Sequence, residues 1–114
     1  MPSEQQQSHA VTLRAPSNIN LGNAVRRLRL ARRLSLETLA GASHMHPTYL
    51  SAIERGLRNP TWTKLCHLAE ALDITISALA QVAEAEAYGA AHAPHTEDIF
   101  STAPVAAPKT PWRR

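Results

Sequence analysis

Leu, Ile, Val and Ala recur three and four residues apart in five short segments between Leu21 and Ala83, and this spacing commits that stretch to helices. The first predicted helix starts after Asn20 and carries Leu21, Ala24, Val25 and Leu28 on one stripe. The second starts after Ser35, places Glu37 in its first turn, carries Leu39 and Ala40, and ends near residues 41–43. The third runs from Pro47, a residue suited to a first helical position, through Glu54, with Leu50 and Ile53 inward. Gly56 follows where a left-handed backbone is needed. The fourth starts after Thr61 with Leu65, Leu68, Ala69 and Leu72, and the fifth after Thr75 with Ile76, Leu79, Ala80 and Ala83. No alternation of strand period and no internal repeat competes. The fold class expected is all-α, a compact five-helix bundle over 18–88.

Flanking segments read differently. Residues 1–17 are rich in Gln, Ser and Pro without periodicity, and 89–114 hold Pro94, Pro104, Pro108 and Pro111 among many alanines. Both are expected to be flexible, an N-terminal arm and a C-terminal tail. With aromatic residues at 4%, the aliphatic side chains must supply the core. A single cysteine, Cys66, excludes an intrachain disulfide. No apolar run approaches the roughly 18 residues of a membrane span, and Met1–Ala10 is polar, so a cytoplasmic chain with no membrane partner is expected.

Charge is unevenly placed. Between Ile19 and Val82 eight basic residues face four acidic ones, whereas the remainder holds four basic against five acidic. A positive fold with near-neutral tails suits a polyanionic partner.

The informative stretch is Ser35 to Pro60, SLETLAGASHMHPTYLSAIERGLRNP. Two short helices crossing at a tight turn need a small residue at the crossing, which Ala40 supplies, and apolar residues sealing it, which Leu39, Met45, Leu50 and Ile53 supply. The second of the two would then present Pro47, Thr48, Ser51 and Ala52 outward. These short side chains permit close approach to base edges in a major groove wide enough for one helix.

The ordered set Leu28-Arg29, Ser35, Leu39-Ala40, Tyr49-Leu50-Ser51, Ile53-Glu54-Arg55-Gly56, Asn59-Pro60 and Leu68 to Leu72 resembles the XRE-type, or phage lambda repressor-like, helix-turn-helix DNA-binding family, over about residues 21–82. The resemblance implies a bundle of about five helices, a recognition helix after His46, and a structural ion pair between Arg29 and Glu54. A partly buried carboxylate following inward Ile53 is compatible with a bidentate arginine partner. The chain also departs from the family pattern. Leu36 stands where the family usually has a phosphate-touching Gln, although the backbone N–H groups of that helix start remain available. His44 stands where the turn often has Gly, and histidine tolerates positive φ better than most residues. Pro47 and Ala52 stand where relatives often carry Gln or Arg, so hydrogen-bonded readout would lean on Thr48 and Ser51, with apolar contact to thymine methyls and DNA shape adding to it.

The DNA-binding set expected is Pro47, Thr48, Tyr49, Ser51, Ala52, Arg55, Arg58 and Asn59. Several of these have plain alternatives. Tyr49 either reaches a phosphate or packs on the helix flank, and Asn59 either meets DNA or caps the loop before Pro60. The pairs Arg26-Arg27 and Arg32-Arg33 either grip phosphates or form a solvated face. Trp62 is expected to pack onto the bundle, with a role in a subunit interface as the alternative, and Cys66 to be a half-buried, inert thiol. His44, His46 and Cys66 do not have a recognised metal-ligand spacing, so no metal and no cofactor is expected. Trp112-Arg113-Arg114 reads as a frayed end or a DNA-touching arm, and Thr96 to Phe100 as an acidic-apolar island that either docks on a protein or has no role.

No nucleophile–base pair or phosphate-cradling glycine loop is present, so no enzymatic activity is expected. The function expected is a transcriptional regulator, a repressor acting as a homodimer on a palindromic operator, with the helix from Ile76 to Tyr88 contributing its Ala-rich face to the interface. The alternatives are an antitoxin or other protein-binding module using its tails, and a restriction–modification controller.

Overall fold

A computed structural model describes residues 15–89. Five helices follow one another: α1 Asn18–Ala31, α2 Leu36–Ala42, α3 Pro47–Glu54, α4 Trp62–Ala71 and α5 Ile76–Tyr88. No strand occurs among the described residues. The expected flexible segments, with Thr96 to Phe100 and Trp112 to Arg114, lie outside them apart from residues 15–17 and Gly89.

Each helix begins where a side chain can accept an orphan backbone N–H. Ser35 caps α2, accepting from Thr38, and Thr61 caps α4, accepting from Lys64. Thr75 caps α5, accepting from Ala78. The first helix corrects the expected start. Ser17, not Asn20, is its N-cap, and Asn20 sits at the third helical position of a capping box. The Ser17 Oγ accepts from the Asn20 N–H at 3.1 Å while the Asn20 Oδ1 accepts from the Ser17 N–H at 2.8 Å. The two donors satisfy each other's acceptors, so a residue placed in the arm belongs to the fold.

Four helices end in a left-handed residue. Gly56 after α3 has φ +79°, and Arg33, His44 and Asp73 after α1, α2 and α4 have φ near +60° without being glycine. The turn between α2 and α3 therefore runs through His44 in the conformation expected of it.

The inward stripes meet in one core. Val25 and Leu28 of α1, Leu39 of α2, Leu50 and Ile53 of α3, Leu68 of α4, Leu72 just beyond it, and Leu79 and Val82 of α5 are essentially inaccessible. Burying each such side chain contributes about 1.5–3 kcal/mol. The widest helix contact is between α1 and α5, which takes up α5's apolar face. Of its alanines Ala83 and Ala85 are buried within the chain, Ala78 and Ala87 are half-buried and Ala80 is exposed, so only part of the Ala-rich face expected at a subunit interface is used internally. Trp62 likewise departs from expectation. As the first residue of α4 it precedes the inward stripe and is 65% exposed.

Glycine decides the crossing of α1 and α3. A Cβ on Gly22 would collide with the Ile53 carbonyl and lie 2.6 Å from the Glu54 carbonyl oxygen. Only a residue without a side chain lets the two backbones approach this closely.

Candidate nucleic-acid interface

Helix α3 is held by its two ends. At its C-terminal end Glu54 receives two parallel hydrogen bonds from Arg29 of α1, Nε to Oε2 at 2.7 Å and Nη2 to Oε1 at 3.0 Å. The remaining Arg29 nitrogen donates to the Leu34 carbonyl at 3.0 Å, so one guanidinium fastens α1, the loop before α2 and α3 together. The pair is largely shielded, at 13% and 7% side-chain exposure. Hydrogen bonding to Glu54 raises the Arg29 pKa above its ordinary value, against the opposing effect of burial.

At the N-terminal end Pro47 occupies the first turn and His46 is the cap, its Nδ1 accepting the Thr48 N–H at 3.0 Å. Behind that end the α2–α3 turn is braced. The buried Ser43 hydroxyl donates to the Leu39 carbonyl at 2.6 Å, and the His44 ring meets His67 of α4 edge-on at 5.0 Å between centroids.

Between its ends α3 and the following loop form an open concavity of about 480 Å³, lined by His46, Thr48, Tyr49, Ala52, Arg55, Leu57 and Arg58. Thr48, Arg55, Arg58 and Asn59 are exposed, and Pro47 and Ser51 are half-buried. Ala52 does not project outward as expected. It is 8% exposed, because Leu50, Ala52 and Ile53 together form the buried side of this short helix. Its methyl lies at the concavity wall, where a larger side chain would have less room. Asn59 makes no side-chain hydrogen bond among the described residues, so it does not cap the loop there, and its amide is exposed beside Arg58.

Tyr49 packs on the helix flank, and its ring makes further contacts. It is half-buried against the core, and its ring carries two cations, Lys64 Nζ at 5.3 Å and Arg58 Cζ at 6.0 Å from the centroid. Such contacts are worth about 0.5–1 kcal/mol at exposed sites and narrow the space the cations explore. Sequence reading did not single out Lys64; its position three residues after the Thr61 cap was the available signal. His46 was missed as well, although it directly precedes a proline at a first helical position.

Two arginines expected as alternatives for phosphate contact are engaged within the fold. Arg27 pairs with Glu86 of α5 at 3.0 Å. Arg32 donates from Nε to the Leu72 carbonyl at 3.0 Å, satisfying the end of α4. Leu36, in the position of the family's glutamine, packs against the core edge. Cys66 is a half-buried free thiol. No cluster of three or more His, Cys, Asp or Glu able to hold a metal is present among the described residues. No single helix there is long and apolar enough to cross a membrane.

Residues 20–82 match the family described as helix-turn-helix domain. An uncharacterized HTH-type transcriptional regulator of Sinorhizobium fredii is 40% identical over 55 residues, which are 48% of this chain and 71% of that protein. Among solved structures, the restriction-modification controller protein C.AhdI from Aeromonas hydrophila is 40% identical with a TM-score of 0.54, the match covering 54% of this chain and 94% of that one. The controller C.Esp1396I bound to a 25 base pair operator site is 25% identical with a TM-score of 0.59, covering 63% and 95%.

Proposed function

Since this chain belongs to the helix-turn-helix domain family, with the XRE-type signature in its sequence, we propose that it is a sequence-specific transcriptional regulator that reads the major groove with α3. The observation that carries this is the concavity of α3, where Thr48 at the helix start adjoins Arg55 and Arg58, with Lys64 over the ring of Tyr49 at its edge. The nearest carboxylate on the same helix, Glu54, is already neutralised by Arg29. Bases would be read by Thr48 and by Ser51 at the half-exposed flank, with Pro47 and the Ala52 methyl offering apolar contact. Phosphates would be held by Arg55, Arg58 and Lys64, and the Asn59 amide would face the same backbone.

The protein acts as a homodimeric repressor on a palindromic operator. One recognition helix spans only a few base pairs, and two-fold pairing doubles the contacts at half-sites about 34 Å apart. Because Ala83 and Ala85 of α5 are buried within the chain, the subunit contact draws in part on other apolar surface, and exposed Trp62 and Leu57 are available to it. The likeness to two restriction-modification controllers favours control of such genes as a second, narrower reading.

Nuclease footprinting on the DNA upstream of its own gene tests the reading. Two protected half-sites about one helical turn apart are expected. Absence of any protected site, with the folded state verified by circular dichroism, would overturn it.

A further inference from the structure

From the cap of α3 we infer that His46 is a base-reading residue, its Nε2–H donating to an acceptor on a base edge in the major groove. The inference rests on the proposed reading of α3 as a recognition helix and adds to it one hydrogen-bond donor. In neutral imidazole one ring nitrogen carries the proton and the other accepts. The His46 Nδ1 accepts the Thr48 N–H at 3.0 Å, so the proton is on Nε2. The cap thereby fixes both the tautomer and the ring orientation, as a partner on one histidine nitrogen sets the role of the other. The ring is exposed, lines the concavity beside Thr48, and has no other hydrogen-bond partner among the described residues.

The local chemistry leaves a place for such a donor. Pro47 has no polar side chain, and the Ala52 methyl cannot donate. The acceptors at the floor of the major groove are purine N7, guanine O6 and thymine O4. Residues at the start of a recognition helix are those that meet base edges, which favours a base over a phosphate as the acceptor. A held ring loses little freedom on binding, so its one hydrogen bond discriminates more than that of a free side chain.

Two variants separate capping from reading. His46→Ser keeps a good cap but replaces the imidazole donor with a hydroxyl too short to reach the same base edge, whereas His46→Ala removes both cap and donor. Each is melted by circular dichroism, then titrated by fluorescence anisotropy against the footprinted operator duplex and its single-base variants. H46S should melt like the parent yet bind operator about tenfold more weakly, with preference relaxed at one base pair per half-site. H46A should show the same relaxed preference with a lower melting temperature. A parent protein that discriminates among the duplexes while H46S gives the same profile overturns the assignment to His46 alone. Uniform weakening of H46S across all duplexes with a shallower salt dependence places His46 on phosphate and also overturns it. A parent that binds every duplex alike overturns the regulator reading, and this inference falls with it.

Discussion

Arg29 and Glu54 lie 25 residues apart in the chain and join α1 to the last turn of α3 through two parallel hydrogen bonds of 2.7 and 3.0 Å. Helix α3 is therefore oriented by a salt bridge that lies outside the lining of its concavity. Breaking a shielded pair from one side leaves the other charge without compensation, at a cost of about 3 kcal/mol or more. Glu54→Ala should accordingly lower the urea midpoint strongly at unchanged slope. An E54A variant as stable as the parent would show that the pair is worth little.

Two glycines should respond to the same substitution with opposite signs. Gly22→Ala gains helix propensity but drives a Cβ into the Ile53 and Glu54 carbonyls. A net loss of about 2 kcal/mol is expected, near 10 °C in melting temperature. Gly41→Ala meets nothing within 4 Å and should gain about 0.5–1 kcal/mol. Thermal melts of the two variants check this, and equal signs would contradict the packing described.

The left-handed residue in the α2–α3 turn, His44 at φ +61°, carries backbone strain that glycine would not. His44→Gly relieves about 1 kcal/mol of it and gives up the edge contact with His67. Urea denaturation should find the variant slightly more stable. A clear loss would mean that the ring contact outweighs the strain.

Tyr49 is expected to work through the cations on its ring. Tyr49→Phe keeps the ring and should leave DNA affinity within about twofold, whereas Tyr49→Leu should weaken it about fivefold at low salt. Equal weakening in both variants would instead assign the role to the hydroxyl group.

The helix order was legible from capping residues followed by apolar residues three and four apart. Ser35, Pro47, Thr61 and Thr75 each stand at a helix start in the structure. The family signature put Arg29 and Glu54 together before any distance was known. The first helix start was misplaced because Asn20 is itself a good cap; only the reciprocal bond with Ser17 distinguishes a cap from the third residue of a capping box. Ala52 was placed outward because a helix of eight residues has too few turns for its stripe to define a direction. Packing of Trp62 onto the bundle, the first expectation for it, is not met, because its position ahead of the inward stripe of α4 leaves it exposed. Gly22 and Lys64 act through contacts with segments distant in the chain, and periodicity within one helix carries no record of these. His46 acts as a cap through a ring nitrogen, a use of histidine outside the usual capping residues.

The measurement that bears most directly on DNA reading by α3 is fluorescence anisotropy on operator and scrambled duplexes across a salt series, for the parent, Thr48→Ala, Arg58→Ala and Lys64→Ala. The parent should prefer the operator, and its affinity should fall steeply as salt rises. Thr48→Ala should lose preference with the salt slope intact, while Arg58→Ala and Lys64→Ala should each lower the log–log slope by about one and leave preference unchanged. Equal, weak binding to both duplexes by the folded parent would contradict the account.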